Sequence, residues 1–123
     1  MFEVELYSDV NGNEPVASFI DGLNVKMAAK LVGLLQLLGE KGTELRLPYS
    51  EHIRNGIFEL RCKQGTDIVR AMYFFYVGKR IVVTNGFIKK TQKIPAKELR
   101  LAELRRADWI NRFGNRTEGA DET

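Results

Sequence analysis

The chain has little of the chemistry that most enzymes display in their sequence. Among 123 residues there is one cysteine, Cys62, and one histidine, His52. A lone cysteine closes no internal disulfide, and with one histidine it builds no four-ligand zinc site. There is no Ser-His-Asp set, no Walker A loop, no Gly-x-Gly-x-x-Gly fingerprint and no clustered pair of carboxylates. The missing carboxylates argue against two-metal nuclease chemistry, which needs anionic oxygen ligands. No apolar run approaches the roughly 20 residues that span a bilayer, so no transmembrane helix is expected. The opening Phe2-Glu3-Val4-Glu5-Leu6 alternates, unlike the basic region and apolar core of a secretory signal. The expectations are no metal, no cofactor, no membrane and a cytoplasmic location.

Charge is present but unevenly placed. Residues 1–53 carry four Lys/Arg and eight Asp/Glu, a net −4. Residues 54–106 carry thirteen against four, a net +9, and residues 107–123 carry two against four, a net −2. The basic stretch coincides with the β-rich stretch. Such asymmetry fits a nucleic-acid partner or an acidic protein partner, and equally a solvated surface.

The length suits a single domain over 1–112, and 113–123 has the composition of a disordered tail. Phe2 to Tyr7 has the period of a half-buried strand. Pro15 opens a short helix to Leu23, and Asn24 is placed to cap a second helix from Val25 to Glu40, with apolar residues at helical spacing. These two helices form a hairpin. Thr43 to Asn55 reads as a polar connection. Three β runs follow, Ile57–Lys63, Asp67–Val77 and Arg80–Ile88, joined by tight turns. The middle run is apolar on both faces and so belongs at the centre of a sheet. Pro95 opens a last helix through Ile110. The order β-α-α-β-β-β-α describes an α+β fold, with helices on one face of a small, mainly antiparallel sheet.

Alternation puts Glu59, Arg61 and Lys63 on one face of their strand and Cys62 on the other, towards the core. Arg70 interrupts the apolar row Ile68, Met72, Phe74. Two readings stand side by side. Glu59 pairs with Arg61 or Arg70 as a structural salt bridge, or the arginines point their donor forks into a phosphate-binding concavity. Lys89 and Lys90 follow the last strand. Extended geometry sends them to opposite faces, so one of them enters any shared cleft; both also suit a charged guard on a strand end. His52 sits alone in a loop. Cations without a metal can cleave RNA, because the substrate's own 2′-OH attacks the adjacent phosphorus. The protein then has to align that attack, stabilise charge and move protons.

Three segments carry a resemblance: Gly56-Ile57-Phe58-Glu59-Leu60-Arg61, Arg70-Ala71-Met72-Tyr73-Phe74, and Gly86-Phe87-Ile88-Lys89-Lys90-Thr91-Gln92-Lys93-Ile94-Pro95. The final helix, with Glu98 and Glu103, fits too. Over roughly residues 2–110 the chain resembles the RelE/ParE superfamily of type II toxin–antitoxin toxins, in particular its HigB-like, phage-derived branch. The resemblance implies a RelE-like, microbial RNase-like fold and ribosome-dependent mRNA cleavage that inhibits translation. It also implies a cognate helix-turn-helix antitoxin. By the same carry-over, Arg61 and Arg70 hold and stabilise the scissile phosphate, and Lys89 or Lys90 takes the acid–base or phosphate-binding role. Phe87 offers a stacking surface for a base, and Lys63 and Lys93 contact the RNA backbone. Many ribosome-dependent members carry a tyrosine or histidine near the end of the sheet; here that part of the chain offers Phe87 and lysines. The ParE branch, which inhibits DNA gyrase without cutting RNA, shares the fold. It stands as the alternative, beside a basic nucleic-acid-binding module.

Overall fold

A computed structural model describes residues 1–89 and 93–114. Alternating apolar residues form strand β1 (Glu3–Leu6). Helix α1 (Pro15–Asp21) follows, with Pro15 in its first turn, where a missing N–H does no harm. Helix α2 (Val25–Lys41) begins at Asn24, whose side chain accepts the Met27 N–H at 2.8 Å. Met27, Leu31, Leu35 and Leu38 form its buried stripe. After a 3₁₀ turn come β2 (Ser50–Arg54), β3 (Ile57–Gln64), β4 (Asp67–Tyr76) and β5 (Arg80–Ile88). Helix α3 (Ala96–Trp109) runs on into a π-helical turn, Ile110–Gly114.

The five strands make one mixed sheet in the order β1-β5-β4-β3-β2. β1 runs parallel to β5, and the other three pairings are antiparallel. β4 therefore lies in the middle, as its two apolar faces demand. Strand β2 corrects the polar connection expected over Thr43 to Asn55, and the sequence order gains a strand. Asn55 and Gly56 both have positive φ, 51° and 80°, the conformation of a two-residue hairpin turn.

The helices do not share a face, which is a second correction. α1 and α2 cover the side formed by Leu60, Cys62, Val69, Ala71, Tyr73, Ile81 and Val83. α3 brings Leu99, Ala102 and Trp109 against Ile57, Met72, Phe74, Val82 and Phe87 on the other side. A strand as apolar as β4 leaves a second face that water would penalise, and α3 removes it.

Val82 and Phe87 are five residues apart yet face the same core, which plain alternation forbids. A bulge at Thr84 accounts for it: Tyr73 pairs with Val83 and Met72 with Asn85, so Thr84 is the extra residue. Arg105 of α3 donates to the Thr84 carbonyl at 2.9 Å, and Asn85 Nδ2 donates to Glu98 Oε1 at 3.0 Å. α3 thus holds the bulge in place. Its far end is tied to β1 and the residues after it. Tyr7 donates to Asp108 at 2.7 Å, Trp109 Nε1 donates to Glu5 at 2.7 Å, and Arg112 donates to the Ser8 carbonyl. The helical backbone continues two residues into the segment expected as a tail, because Phe113 packs on Trp109 with ring centroids 5.4 Å apart. The rest of that segment, 115–123, lies outside the described residues.

Candidate functional site: a cationic cluster over a buried carboxylate

Strand register builds the site. On the α3 side of the sheet, Glu51 of β2 stands opposite Glu59 of β3, which stands opposite Met72 of β4. One row further along, Arg61 stands opposite Arg70, and Arg70 opposite Phe87. In the outermost row Lys63 faces Ile68, whose carbonyl accepts the Lys89 N–H at 2.9 Å. Two arginines side by side on neighbouring strands repel unless an anion lies between them. Glu59 is that anion.

Glu59 is fully buried, at 0% exposure. One of its oxygens, Oε1, accepts from Arg61 Nε at 2.8 Å and also from Arg70 Nη1. Arg70 has 7% of its side chain exposed and Arg61 has 31%. Arg61 reaches outward as well, to the half-exposed Glu51. Two buried side-chain atoms, Glu59 Oε2 and Arg70 Nε, have no partner among the described residues. Of the two readings open from sequence, the salt bridge is therefore real. It does not use up the guanidinium donors, so an anion-binding role stays compatible with it.

Lys89 completes the cluster. Burial pulls its ammonium below the ordinary lysine range, the Arg70 charge adds to this, and Arg61 adds further. Glu59 and Glu51 act in the opposite direction. The Thr84 bulge is what puts Lys89 here. It shifts the phase of Asn85 to Lys89 by one residue, so that Phe87 and Lys89 follow Arg70's face. Lys90 lies outside the described residues, and so do Thr91 and Gln92.

The other expected residues divide. Lys63 is exposed at the margin of the cluster, and its carbonyl accepts from Lys30 Nζ of α2. Lys93 is exposed on the connection between β5 and α3. Phe87 does not offer a stacking face: it is 7% exposed and lies in the core with Leu99 and Trp109. The same bulge that brings Lys89 to the site turns Phe87 under α3. His52 lies on β2, not in a loop. Its Nε2 accepts the Gly56 N–H at 3.2 Å and its ring packs edge-on against Phe58, so it braces the hairpin. Cys62 is buried, and burial pushes its thiol up, away from the thiolate a nucleophile needs. Glu51 and Lys30 were missed from sequence. Glu51 went with the unrecognised strand β2, and the Asn-Gly pair after it was the available signal.

A cavity of about 540 Å³ opens beside the arginines, between α2 and the end of β3. Among the described residues, no group of three or more His, Cys, Asp or Glu side chains is placed to hold a metal ion. No described helix is long and apolar enough to cross a membrane.

No curated protein matches the chain. The model of the family described as "Phage derived protein Gp49-like" matches residues 18–107, a span that contains Glu59, Arg61, Arg70 and Lys89. The chain accordingly belongs to this phage-derived, Gp49-like family, within the RelE/ParE-like toxin superfamily.

Proposed function

We propose that the protein is the toxin of a type II toxin–antitoxin pair, of the HigB-like branch, and acts as a metal-independent endoribonuclease on mRNA in the ribosome. One observation carries this reading: Arg61, Arg70 and Lys89 converge on one face of the sheet, around a buried carboxylate that fixes the arginines without exhausting their donors. Family membership and the α+β architecture support a RelE-like, microbial RNase-like scaffold for it.

The chemistry follows from the substrate. The ribose 2′-OH attacks the adjacent phosphorus, and the 5′-oxygen of the next nucleotide leaves. The products are a 2′,3′-cyclic phosphate and a 5′-hydroxyl end. Negative charge builds on the non-bridging oxygens, and the Arg61 and Arg70 forks neutralise it. Lys89 is made a better acid than free lysine by burial and by its arginine neighbours, and it gives a proton to the departing 5′-oxygen. The 2′-OH proton passes to the medium. The phosphate displaces the carboxylate of Glu51 from Arg61, since that is the solvent-facing half of the network. The proposal includes a cognate helix-turn-helix antitoxin and a cytoplasmic site of action.

The test is induced expression in a bacterial host followed by mapping of mRNA 5′ ends. New ends within open reading frames are expected from the native chain. They should vanish in Arg61→Ala and in Lys89→Gln, variants that leave the buried Glu59–Arg70 pair intact. Intact mRNA with an induced DNA-damage response would instead place the protein with the gyrase inhibitors. Full toxicity in both variants would remove the site altogether.

A further inference from the structure

The cavity beside the arginines is not accounted for by phosphate binding, since a phosphate needs only a shallow concavity. It exists because β3 outruns its neighbour. Pairing with β2 begins at Ser50 opposite Leu60, and the Tyr49 carbonyl takes the Arg61 N–H at 2.8 Å. From Cys62 to Gln64, β3 has no strand beside it on that edge, and α2 stands off across the gap. At about 540 Å³ the space is of the size that holds small organic ligands.

Its lining has a definite chemistry. Leu34 and Leu37 of α2 form an apolar wall, and Tyr49 contributes a half-exposed ring. Lys30, Arg61, Lys63 and Arg70 surround this apolar surface, and no carboxylate lies among the lining residues. Such a site is complementary to a flat, weakly polar body joined to an anion. Arg70 belongs to both the cluster and the cavity lining, and its Nε lacks a partner among the described residues. Gly33 also lines the cavity. It weakens the middle of α2, yet a Cβ there would meet nothing within 4 Å, so close packing is not what it serves; it leaves the cavity wall open.

We propose that this cavity receives the base and ribose of one ribonucleotide of the RNA, next to the phosphate held by Arg61 and Arg70. This rests on the reading of those arginines as phosphate ligands. The Tyr49 ring supplies a stacking surface, which Phe87, buried under α3, does not. Lys30 and Lys63 flank the nucleotide's outer side.

The full chain is to be titrated with ribonucleoside 5′-monophosphates, the parent nucleosides and inorganic phosphate, followed by amide chemical shifts. Mononucleotides are expected to bind about tenfold or more tightly than phosphate, with shifts in Gly33, Leu37, Tyr49 and Cys62. Gly33→Phe fills the space from a helix position that tolerates a side chain. It should keep its melting temperature and bring the nucleotide-to-phosphate affinity ratio close to one. Tyr49→Leu should lower the ratio by a smaller factor. Equal affinity for nucleotide and phosphate would overturn the proposal, and so would an unaltered ratio in Gly33→Phe. Occupation by an acidic peptide that mononucleotides fail to displace would do the same, since it makes the cavity a protein-docking site. The readout does not depend on cleavage. A chain that cuts mRNA but shows no cavity shifts sinks this proposal alone, whereas nucleotide binding without cleavage supports it and sinks only the nuclease.

Discussion

Glu59 holds two arginines on one oxygen and none on the other, and the charge balance of the site turns on it. Removing one member of a buried ion pair leaves the other uncompensated, at a cost of about 3–5 kcal/mol. Arg70→Met should therefore unfold at markedly lower denaturant than the native chain. Arg61→Met should lose less, because Arg61 is partly solvated. Lys89 reports the same balance. Its folded-state pKa is lowered, so its charged form opposes folding below that pKa. As pH rises through it towards the usual lysine value, the penalty fades. NMR titration of the Lys89 side chain should place its midpoint below the ordinary lysine value. Arg70→Gln removes a charge that depresses Lys89, so the midpoint should rise. Glu59→Gln removes a charge that supports it, so the midpoint should fall further. A Lys89 midpoint indifferent to both would mean that the lysine stands apart from the cluster. The identities of the key side chains were legible in the sequence, since a charge inside an apolar strand draws notice. The direction in which Lys89 points was not, because it depends on a bulge.

Two irregular elements decide that geometry. Strand β2 is short and polar, and its place in the sheet comes from the Asn55-Gly56 turn rather than from hydrophobic pattern. Composition suggested a loop, and turn chemistry indicates a strand. Gly56→Val should cost more than about 1 kcal/mol, for it strains a φ of 80° and meets the Arg106 guanidinium 3.2 Å away. Protection of the β2 amides in hydrogen exchange should fall with it. The second element is the bulge. Thr84 looks like any strand residue, and the bonds that hold its bulge, Arg105 to the Thr84 carbonyl and Asn85 to Glu98, depend on how the following helix packs on the sheet. Deleting Thr84 removes the extra residue and restores simple alternation while Val83 stays opposite Tyr73 and Asn85 opposite Met72, so Phe87 and Lys89 keep the faces they occupy. The expected result, read by thermal unfolding, is a protein made less stable by loss of the Arg105–Thr84 bond in which the Arg61, Arg70 and Lys89 cluster stays assembled.

Across the whole molecule, the expected α+β class and central β4 hold, while the placement of helices on one face does not. The final helix is so rich in Lys and Arg that its apolar residues are easily discounted, although Leu99, Ala102 and Trp109 cover an entire side of the sheet. The charge division has a physical consequence. With Arg61, Arg70 and Lys89 on phosphates of a single strand, the logarithm of RNA affinity should fall against the logarithm of salt with a slope of about −2. Lys89→Gln should make that slope shallower by about 0.7. A slope near zero would mean that the basic half meets something other than a nucleic-acid backbone. The bonds between β1 and the last helix have a different kind of consequence. Tyr7–Asp108, Glu5–Trp109 and Ser8–Arg112 join positions more than 100 residues apart. Contacts this distant in sequence form late. While the chain is being made, the strand meander can pair before α3 has been synthesised, but one side of the sheet stays wet and the Thr84 bulge lacks its anchor. A ribonuclease of the kind proposed would thus lack its completed site on the ribosome producing it until synthesis has passed Arg112.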